Sequence, residues 1–202
     1  MEGFQNIIYI DIPYWNECMF KKIWAFAMLC AVLSLPAKAV DCDTWIWGFD
    51  TACSRISGTW NEGNAGLYLT GYAWHNRSTY DADKIDEYNE FAYGGGLGYH
   101  RATGNKNEEM IYALAFADSH EEPQVHVGYA YMWYWDVIGP LRAGAGWTGG
   151  IFLRNADFNY VPMPFVLPMV GVKYDKVNFY ATYIPGGKNN GNVLFVFSRF
   201  DY

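Results

Sequence analysis

The sequence predicts an all-β protein: an eight-stranded antiparallel transmembrane β-barrel with an N-terminal amphipathic α-helix. Three observations predict it. Eight strand-like stretches, separated by turn-rich polar pieces, follow one another from about residue 66 to the end of the chain. Several of them alternate bulky apolar residues with small or polar ones, as a lipid-facing wall does. The composition is 19% aromatic and 51% hydrophobic, yet no apolar run after residue 40 is long enough for a helical span.

A leader precedes the barrel. Lys21 and Lys22 stand before a 13-residue apolar run from Ile23 to Leu35. Pro36 and Ala37-Lys38-Ala39 follow. This is the order of a secretory signal peptide, too short to span a bilayer and ending in a small-residue cleavage site. Residues 1–39 are read as the signal peptide, with cleavage after Ala39. Met19 makes a better start than Met1, so residues 1–18 are read as an upstream misread start or an unusual n-region. Cys18 and Cys30 leave with the leader. Cys42 and Cys53 enter an exported compartment that permits disulfides. On one continuous helix they would lie about 16 Å apart, too far to bridge. A disulfide therefore requires a non-helical chain near Cys42.

Residues 40–63 form the helical region. Trp45, Ile46, Phe49, Cys53, Ile56 and Trp60 recur near the helical period over about 43–60, with Asp50, Ser54 and Arg55 between them. Its tryptophans suit a membrane interface, and packing against the rest of the protein suits them equally.

Residues 64–202 hold the barrel. The stretches are about 66–77, 90–101, 108–118, 124–135, 140–154, 164–174, 177–185 and 192–202. In the fourth, Val125, Val127, Tyr129, Tyr131, Trp133 and Trp135 share one face; Gln124, His126, Gly128, Ala130 and Met132 share the other. The last places Leu194, Val196, Phe200 and Tyr202 on one face and Val193, Phe195 and Phe197 on the other, and the chain ends on an aromatic residue. A terminal aromatic of this kind is what barrel-assembly machinery reads. In the third, Met110, Tyr112, Leu114 and Phe116 share one face and Ile111, Ala113, Ala115 and Ala117 the other, so whichever face meets lipid, the other makes a partly apolar lumen. So apolar a lumen excludes a water channel. It leaves two readings: side-chain packing, which fills most eight-stranded barrels, or room for one acyl chain. Pro162, Pro164 and Pro168 interrupt the sixth stretch and Pro185 ends the seventh. Proline cannot donate to a ladder, so these mark gaps in strand pairing.

The motifs narrow the chemistry. Gly144-Ala145-Gly146-Trp147-Thr148-Gly149 has dinucleotide spacing but no following helix, and is rejected. Gly94-Gly95-Gly96 lacks the lysine of a phosphate loop and reads as small residues opposite bulky neighbours. Asn76-Arg77-Ser78 matches a glycosylation sequon, a pattern that occurs often by chance. No metal spacing and no cofactor is indicated. A net charge of −7 argues against nucleic acid. Two apolar stretches end in polar clusters, Trp74-His75-Asn76-Arg77 and Ala117-Asp118-Ser119-His120. In an up-and-down barrel these lie at one rim, where His75, Asp118 and Ser119 could perform acyl transfer.

Taken together, the residues resemble the PagP family of outer-membrane lipid A palmitoyltransferases. The resemblance rests on Trp74-His75, Tyr80-Asp81, Tyr88-Asn89-Glu90, Gly94-Gly95-Gly96, Ala115-Phe116 before Asp118-Ser119, Asn159-Tyr160-Val161-Pro162, and Thr182-Tyr183-Ile184-Pro185-Gly186 leading to Asn189-Asn190-Gly191-Asn192-Val193. It covers nearly the whole mature chain. It implies a monomeric enzyme in the cell outer membrane that moves a palmitoyl or similar chain from a phospholipid donor to lipid A. It assigns His75 as base or proton shuttle, Asp118 to orientation or polarisation, and Ser119 as nucleophile or oxyanion-region hydroxyl. The acyl chain would lie in the lumen against Met110, Tyr112, Gly128 and Ala130, and membrane lipids would enter sideways at a gate marked by Pro168 and Pro185. Two departures stand out. A second gate in the family carries prolines where this chain has Thr70 and Ala92. The family's floor glycine is Ala130 here, whose added methyl is expected to shorten the preferred chain. The competing readings are a non-enzymatic barrel for adhesion or tethering, and a lipid-binding carrier.

Overall fold

The computed structural model describes Cys42 and residues 49–104, 106–155 and 159–202. The predicted leader and its cleavage site lie outside the described residues. Helix α1 (Phe49–Glu62) is followed by strands β1 (Asn64–His75) and β2 (Phe91–Thr103), with a short helix α2 (Ala82–Asp86) between them. Then come β3 (Asn107–Ala117), β4 (Pro123–Ile138), β5 (Leu141–Leu153), β6 (Met163–Tyr174), β7 (Val177–Ile184) and β8 (Val193–Asp201). Each strand pairs antiparallel with the next, and β1 pairs with β8, so the sheet closes into a barrel.

Closure separates the two faces predicted from alternation. Val127, Trp133, Trp135, Trp147, Val166 and Phe179 stand exposed on the outside. They make an apolar belt with aromatics, as lipid-facing barrel walls carry. On the inner face the chain alternates ring and glycine. Gly94, Gly96 and Gly98 pair across to Phe116, Leu114 and Tyr112. The Tyr112 ring lies over Gly128, where an added Cβ would sit 2.6 Å from its Cζ. The glycine runs are thus room for rings in a narrow lumen, the non-nucleotide reading of both Gly-rich motifs.

The two rims differ. At one, short turns join β2 to β3, β4 to β5 and β6 to β7; Gly139 in the second adopts a φ of +54°, the left-handed region open to glycine. At the other rim the connections 76–90, 118–122, 154–162 and 185–192 are longer. Near the short-turn rim the lumen is plugged. Tyr68, Tyr112, Tyr180 and Phe197 pack with ring centroids 5.2–6.3 Å apart. Beyond them is an ion cluster invisible to any sequence motif. Arg199, fully buried, donates from Nη1 to Glu108 at 2.8 Å and from Nε to Asp201 at 2.6 Å. Lys173 donates to Glu108 at 2.8 Å, and His100 lies 3.3 Å from Asp201. Two carboxylates thus face two fixed cations, which balances the charge that burial leaves unsolvated.

Helix α1 packs on the outer wall at β2 and β3. Trp60 meets Tyr99 with ring centroids 5.3 Å apart. Buried Glu109 accepts from Thr59 Oγ1 at 3.2 Å and from Arg101 at 3.0 Å, and Arg55 lies 3.3 Å away. Phe49 and Ile56 remain exposed, so the helix serves both readings of its apolar face. Cys42, outside the helix, is disulfide-bonded to Cys53 across a Cα separation of 5.6 Å. The required non-helical chain near Cys42 is therefore present; residues 43–48 of the predicted helix fall outside the described residues.

The prolines mark a real seam. β6 pairs with β7 only from Met169↔Thr182 to Tyr174↔Val177. Above Met169 the ladder stops at Pro168, whose carbonyl accepts from Thr182 Oγ1 at 2.8 Å instead. Pro185 follows the end of β7 on the other side of the seam. The seam between β1 and β2 behaves differently. After Thr70↔Gly94 a bulge sets Gly71 against Ala92 and Tyr93, and pairing resumes at Tyr72↔Phe91, with Ala73 N–H donating to Glu90 O at 2.9 Å. With Thr70 and Ala92 in place of prolines, this second seam keeps ladder bonds.

The ion cluster yields a stability prediction. Arg199→Met leaves Glu108 and Asp201 buried and undercompensated. It should lower the unfolding free energy by about 3–5 kcal/mol, read as a reduced urea midpoint of the detergent-refolded protein. A midpoint equal to wild type would count against the cluster as a folding element.

Candidate active site

The site stands at the long-loop rim, where β1 and β3 both end. Antiparallel alternation brings the ends of odd strands to one rim, so His75 and Asp118-Ser119, 44 residues from His75 to Ser119, meet there. His75 Nε2 lies 3.1 Å from Ser119 Oγ. His75 Nδ1 lies 3.2 Å from Glu90 Oε1, which also accepts the His75 backbone N–H at 2.8 Å. An ionised carboxylate only accepts, so Nδ1 carries the imidazole proton and Nε2 is free to accept from the serine hydroxyl.

Glu90 is held ionised. Burial pushes its carboxyl up, but the Arg77 guanidinium, the His75 N–H and the Tyr72 hydroxyl outweigh burial and hold it down at about 2. Arg77 grips both carboxylate oxygens, with Nη2 donating to Oε2 at 2.8 Å, and its Nη1 also reaches the His75 carbonyl at 2.7 Å. The ring of His75 is fixed from its faces too. Tyr88 stacks on it at 4.7 Å and Tyr80 meets it edge-on at 5.2 Å. Tyr80 is itself anchored by donating to Gly191 O at 2.6 Å. Asn189 exchanges hydrogen bonds of 2.8 Å with Asp81, tying the 185–192 loop to the 76–90 loop. Asn76 uses its side-chain oxygen to accept from Ser78 N and Oγ at 3.0 and 2.7 Å, so the sequon residues form a turn.

Asp118 sits beside this relay without touching His75, both of whose ring nitrogens are engaged elsewhere. Its Oδ1 accepts the backbone N–H groups of His120 and Glu122, each at 2.9 Å, and its Oδ2 lies 3.3 Å from Arg154 Nε. The carboxylate closes the 118–122 turn that presents Ser119. The orienting carboxylate for His75 is Glu90, which sequence reasoning quoted in a motif but gave no role. The signal was there: Glu90 precedes β2 at the rim where β1 ends, so antiparallel pairing puts it beside His75.

His75, Asp118 and Ser119 line a cavity of about 600 Å³ whose lining also includes Gln124, His126 and Arg154 and the apolar side chains of Phe116, Phe152 and Phe195. Pro185 lies at its edge. The four residues expected to hold an acyl chain are placed deeper. Met110, Tyr112, Gly128 and Ala130 are buried in the packed layer beneath, Ala130 with no exposed surface.

The family described as antimicrobial peptide resistance and lipid A acylation protein PagP matches residues 55–199. The chain belongs to the PagP family. It is 43% identical over 176 residues to the lipid A acyltransferase PagP of Bordetella parapertussis, covering 87% of this chain and 97% of that protein. It is 46% identical over 145 residues to that of Laribacter hongkongensis, covering 72% and 70%. It is 39% identical over 184 residues to that of Legionella pneumophila, covering 90% and 98%. The match to the PagP family spans the barrel and most of α1, including every residue of the relay.

The Glu90 brace gives this PagP-family site a pH signature. A carboxyl held below its ordinary value of about 4.5 contributes stability that is full above that value and is lost as pH falls through about 2. Between about pH 5 and pH 2, the melting temperature of the wild type should fall more steeply than that of Glu90→Gln. Parallel slopes would remove Glu90 as the electrostatic brace.

Proposed function

We propose that this protein is an outer-membrane acyltransferase that moves an acyl chain from a phospholipid to lipid A. The observation that carries the reading is the 3.1 Å contact between His75 Nε2 and Ser119 Oγ at the mouth of a cavity that also offers the apolar side chains of Ala92, Phe116, Phe152 and Phe195. A hydroxyl, a base and an ionised orienter in series are the parts of an activated nucleophile. The lipid A acyltransferase relatives supply the acceptor, and the exposed apolar belt supports the membrane setting.

In this reading the donor's acyl tail enters the cavity and its ester carbonyl comes to rest beside Ser119. Ser119 Oγ attacks the carbonyl carbon while its proton passes to His75 Nε2. The ester C–O bond breaks, and the leaving glycerol oxygen takes that proton, releasing a lysophospholipid. A hydroxyl of lipid A then attacks the acyl-serine and gives its proton to His75. Ser119 leaves and recovers the proton, so atoms and charge balance over the cycle. His75 is the proton carrier, Ser119 the nucleophile and Glu90 the positioning residue. Asp118 acts through the turn that presents Ser119. The β6/β7 seam at Pro168 and Pro185 is the entry for a lipid arriving from the bilayer. All these groups lie on one chain, so the proposed cycle needs no residue from a second copy.

Expression in a host that lacks this activity, followed by mass spectrometry of lipid A, tests the reading. Wild type should add one acyl chain. His75→Ala and Ser119→Ala should lose the added mass by about 10³-fold or more while keeping heat-modifiable gel mobility. Unaltered lipid A with folded wild type would reject the enzyme in favour of a tethering barrel. Full activity in either variant would reject the assigned site.

A further inference from the structure

The base faces the cavity because β1 carries one extra residue. Tyr68 and Thr70 are buried on the inner face of β1. Strict alternation from them would turn Tyr72 and Trp74 inward and His75 outward. The register against β8 breaks this count: Thr70 pairs with Phe197, and Tyr72 pairs with the very next residue, Val196. Gly71 is the extra residue. The bulge it makes passes the inner face to Ala73 and His75, which both line the cavity. The same shift sends the Tyr72 side chain to the outer wall, where the residue is 44% exposed. One bulge thus places a base inside the barrel and a phenol outside it.

Glu90 joins the two. Its Oε1 accepts the His75 backbone N–H at 2.8 Å and lies 3.2 Å from His75 Nδ1. Its Oε2 accepts from the Tyr72 hydroxyl and from Arg77 Nη2, the latter at 2.8 Å. These two donors differ in what holds them. Arg77 belongs to the 76–90 connection; its side chain is 47% exposed and its guanidinium lies 5.9 Å from the Trp74 ring centroid. Tyr72 is paired on both sides, to Phe91 on β2 and to Val196 on β8. Arg77 supplies the charge that keeps the carboxylate ionised. Tyr72 supplies a point fixed to the sheet.

Resting on the function proposed above, we propose that Tyr72, a residue of the outer wall, is a positioning residue for the acyl-transfer base inside the barrel. Its hydroxyl fixes the plane of the Glu90 carboxylate, so that Oε1 meets His75 Nδ1 and Nε2 stays aimed at Ser119 Oγ, 3.1 Å away. Without that hydroxyl the orientation of Glu90 rests on a loop arginine and on His75 itself. The neutral imidazole then carries its proton on either nitrogen. A ring protonated at Nε2 has no lone pair there to take the Ser119 proton, so molecules in that tautomer are idle. The loss falls on turnover and not on donor binding, because Tyr72 stands outside the cavity that takes the acyl chain.

The test uses the full-length protein refolded in detergent, with phospholipid and lipid A as substrates and with 15N-labelled histidine. Tyr72→Phe keeps the ring on the wall and removes only the hydroxyl. It should lower kcat about tenfold, the worth of one hydrogen bond to a charged group, with the donor KM unchanged. The His75 ring signals are those lost in His75→Ala. In wild type they should show one protonated and one bare nitrogen at well-separated shifts. Tyr72→Phe should draw the two shifts together, which a change in wall packing alone does not do. Tyr93→Phe, exposed on β2 beside the same seam, should match wild type in both readouts. The proposal is overturned if Tyr72→Phe keeps the wild-type kcat or the wild-type His75 shifts, or if it raises KM at constant kcat. It is overturned equally if Tyr93→Phe costs as much, or if Tyr72→Phe loses heat-modifiable gel mobility, which would make the hydroxyl a folding contact. Failure of the underlying function would look different: wild type would transfer no chain, while the His75 shifts would still respond to Tyr72→Phe.

Discussion

Everything in this molecule follows from the bore of an eight-stranded barrel. Closure through β1 and β8 leaves an interior about one side chain wide, so each cross-section holds either packing or a ligand, not both. The chain divides that space along its axis. The half near the short turns is given to rings and to the Arg199–Glu108–Asp201–Lys173 cluster. The half near the long loops is left open, and the reactive groups stand at its mouth.

The reactive rim depends on the same closure. His75 is buried and its partners come from two connections of the chain, 76–90 and 118–122, which meet because antiparallel strands return to the same rim. Glu90 ties three side chains at once: the Tyr72 hydroxyl and the His75 ring on β1, and Arg77 in the loop. The same contacts close the β1/β2 seam. The β6/β7 seam has no such bond above Pro168. One seam is therefore closed by the carboxylate that holds His75, while the other is left unpaired above Pro168.

The expectations drawn from residues met the structure unevenly, for identifiable reasons. Strand positions were legible to within a few residues, because alternation and turn residues are local. The His75–Ser119 pairing was legible from topology, because strand parity alone fixes the rim. Glu90 was passed over because its role needs a partner fifteen residues away whose orientation no spacing reveals. The orienting role of Asp118 comes from the family resemblance; in the structure its Oδ1 accepts two backbone N–H groups of its own turn and its Oδ2 faces Arg154. Ala130 lies on the inward face as alternation requires, but the depth of an open cavity is a property of how rings settle against glycines across several strands.

By itself, the sequence determined the class, the inward and outward faces, the seam at Pro168 and the rim at which the polar residues gather. Each of these depends on chain-local physics: a two-residue side-chain period, a missing N–H in proline, and the parity of antiparallel strands. Only the tertiary structure decided which carboxylate holds His75, how the buried charges near the short turns are balanced, and how far the cavity descends. Those are set by contacts between residues far apart in the chain, where sub-ångström differences in packing choose between a hydrogen bond and a gap, and between an open lumen and a filled one.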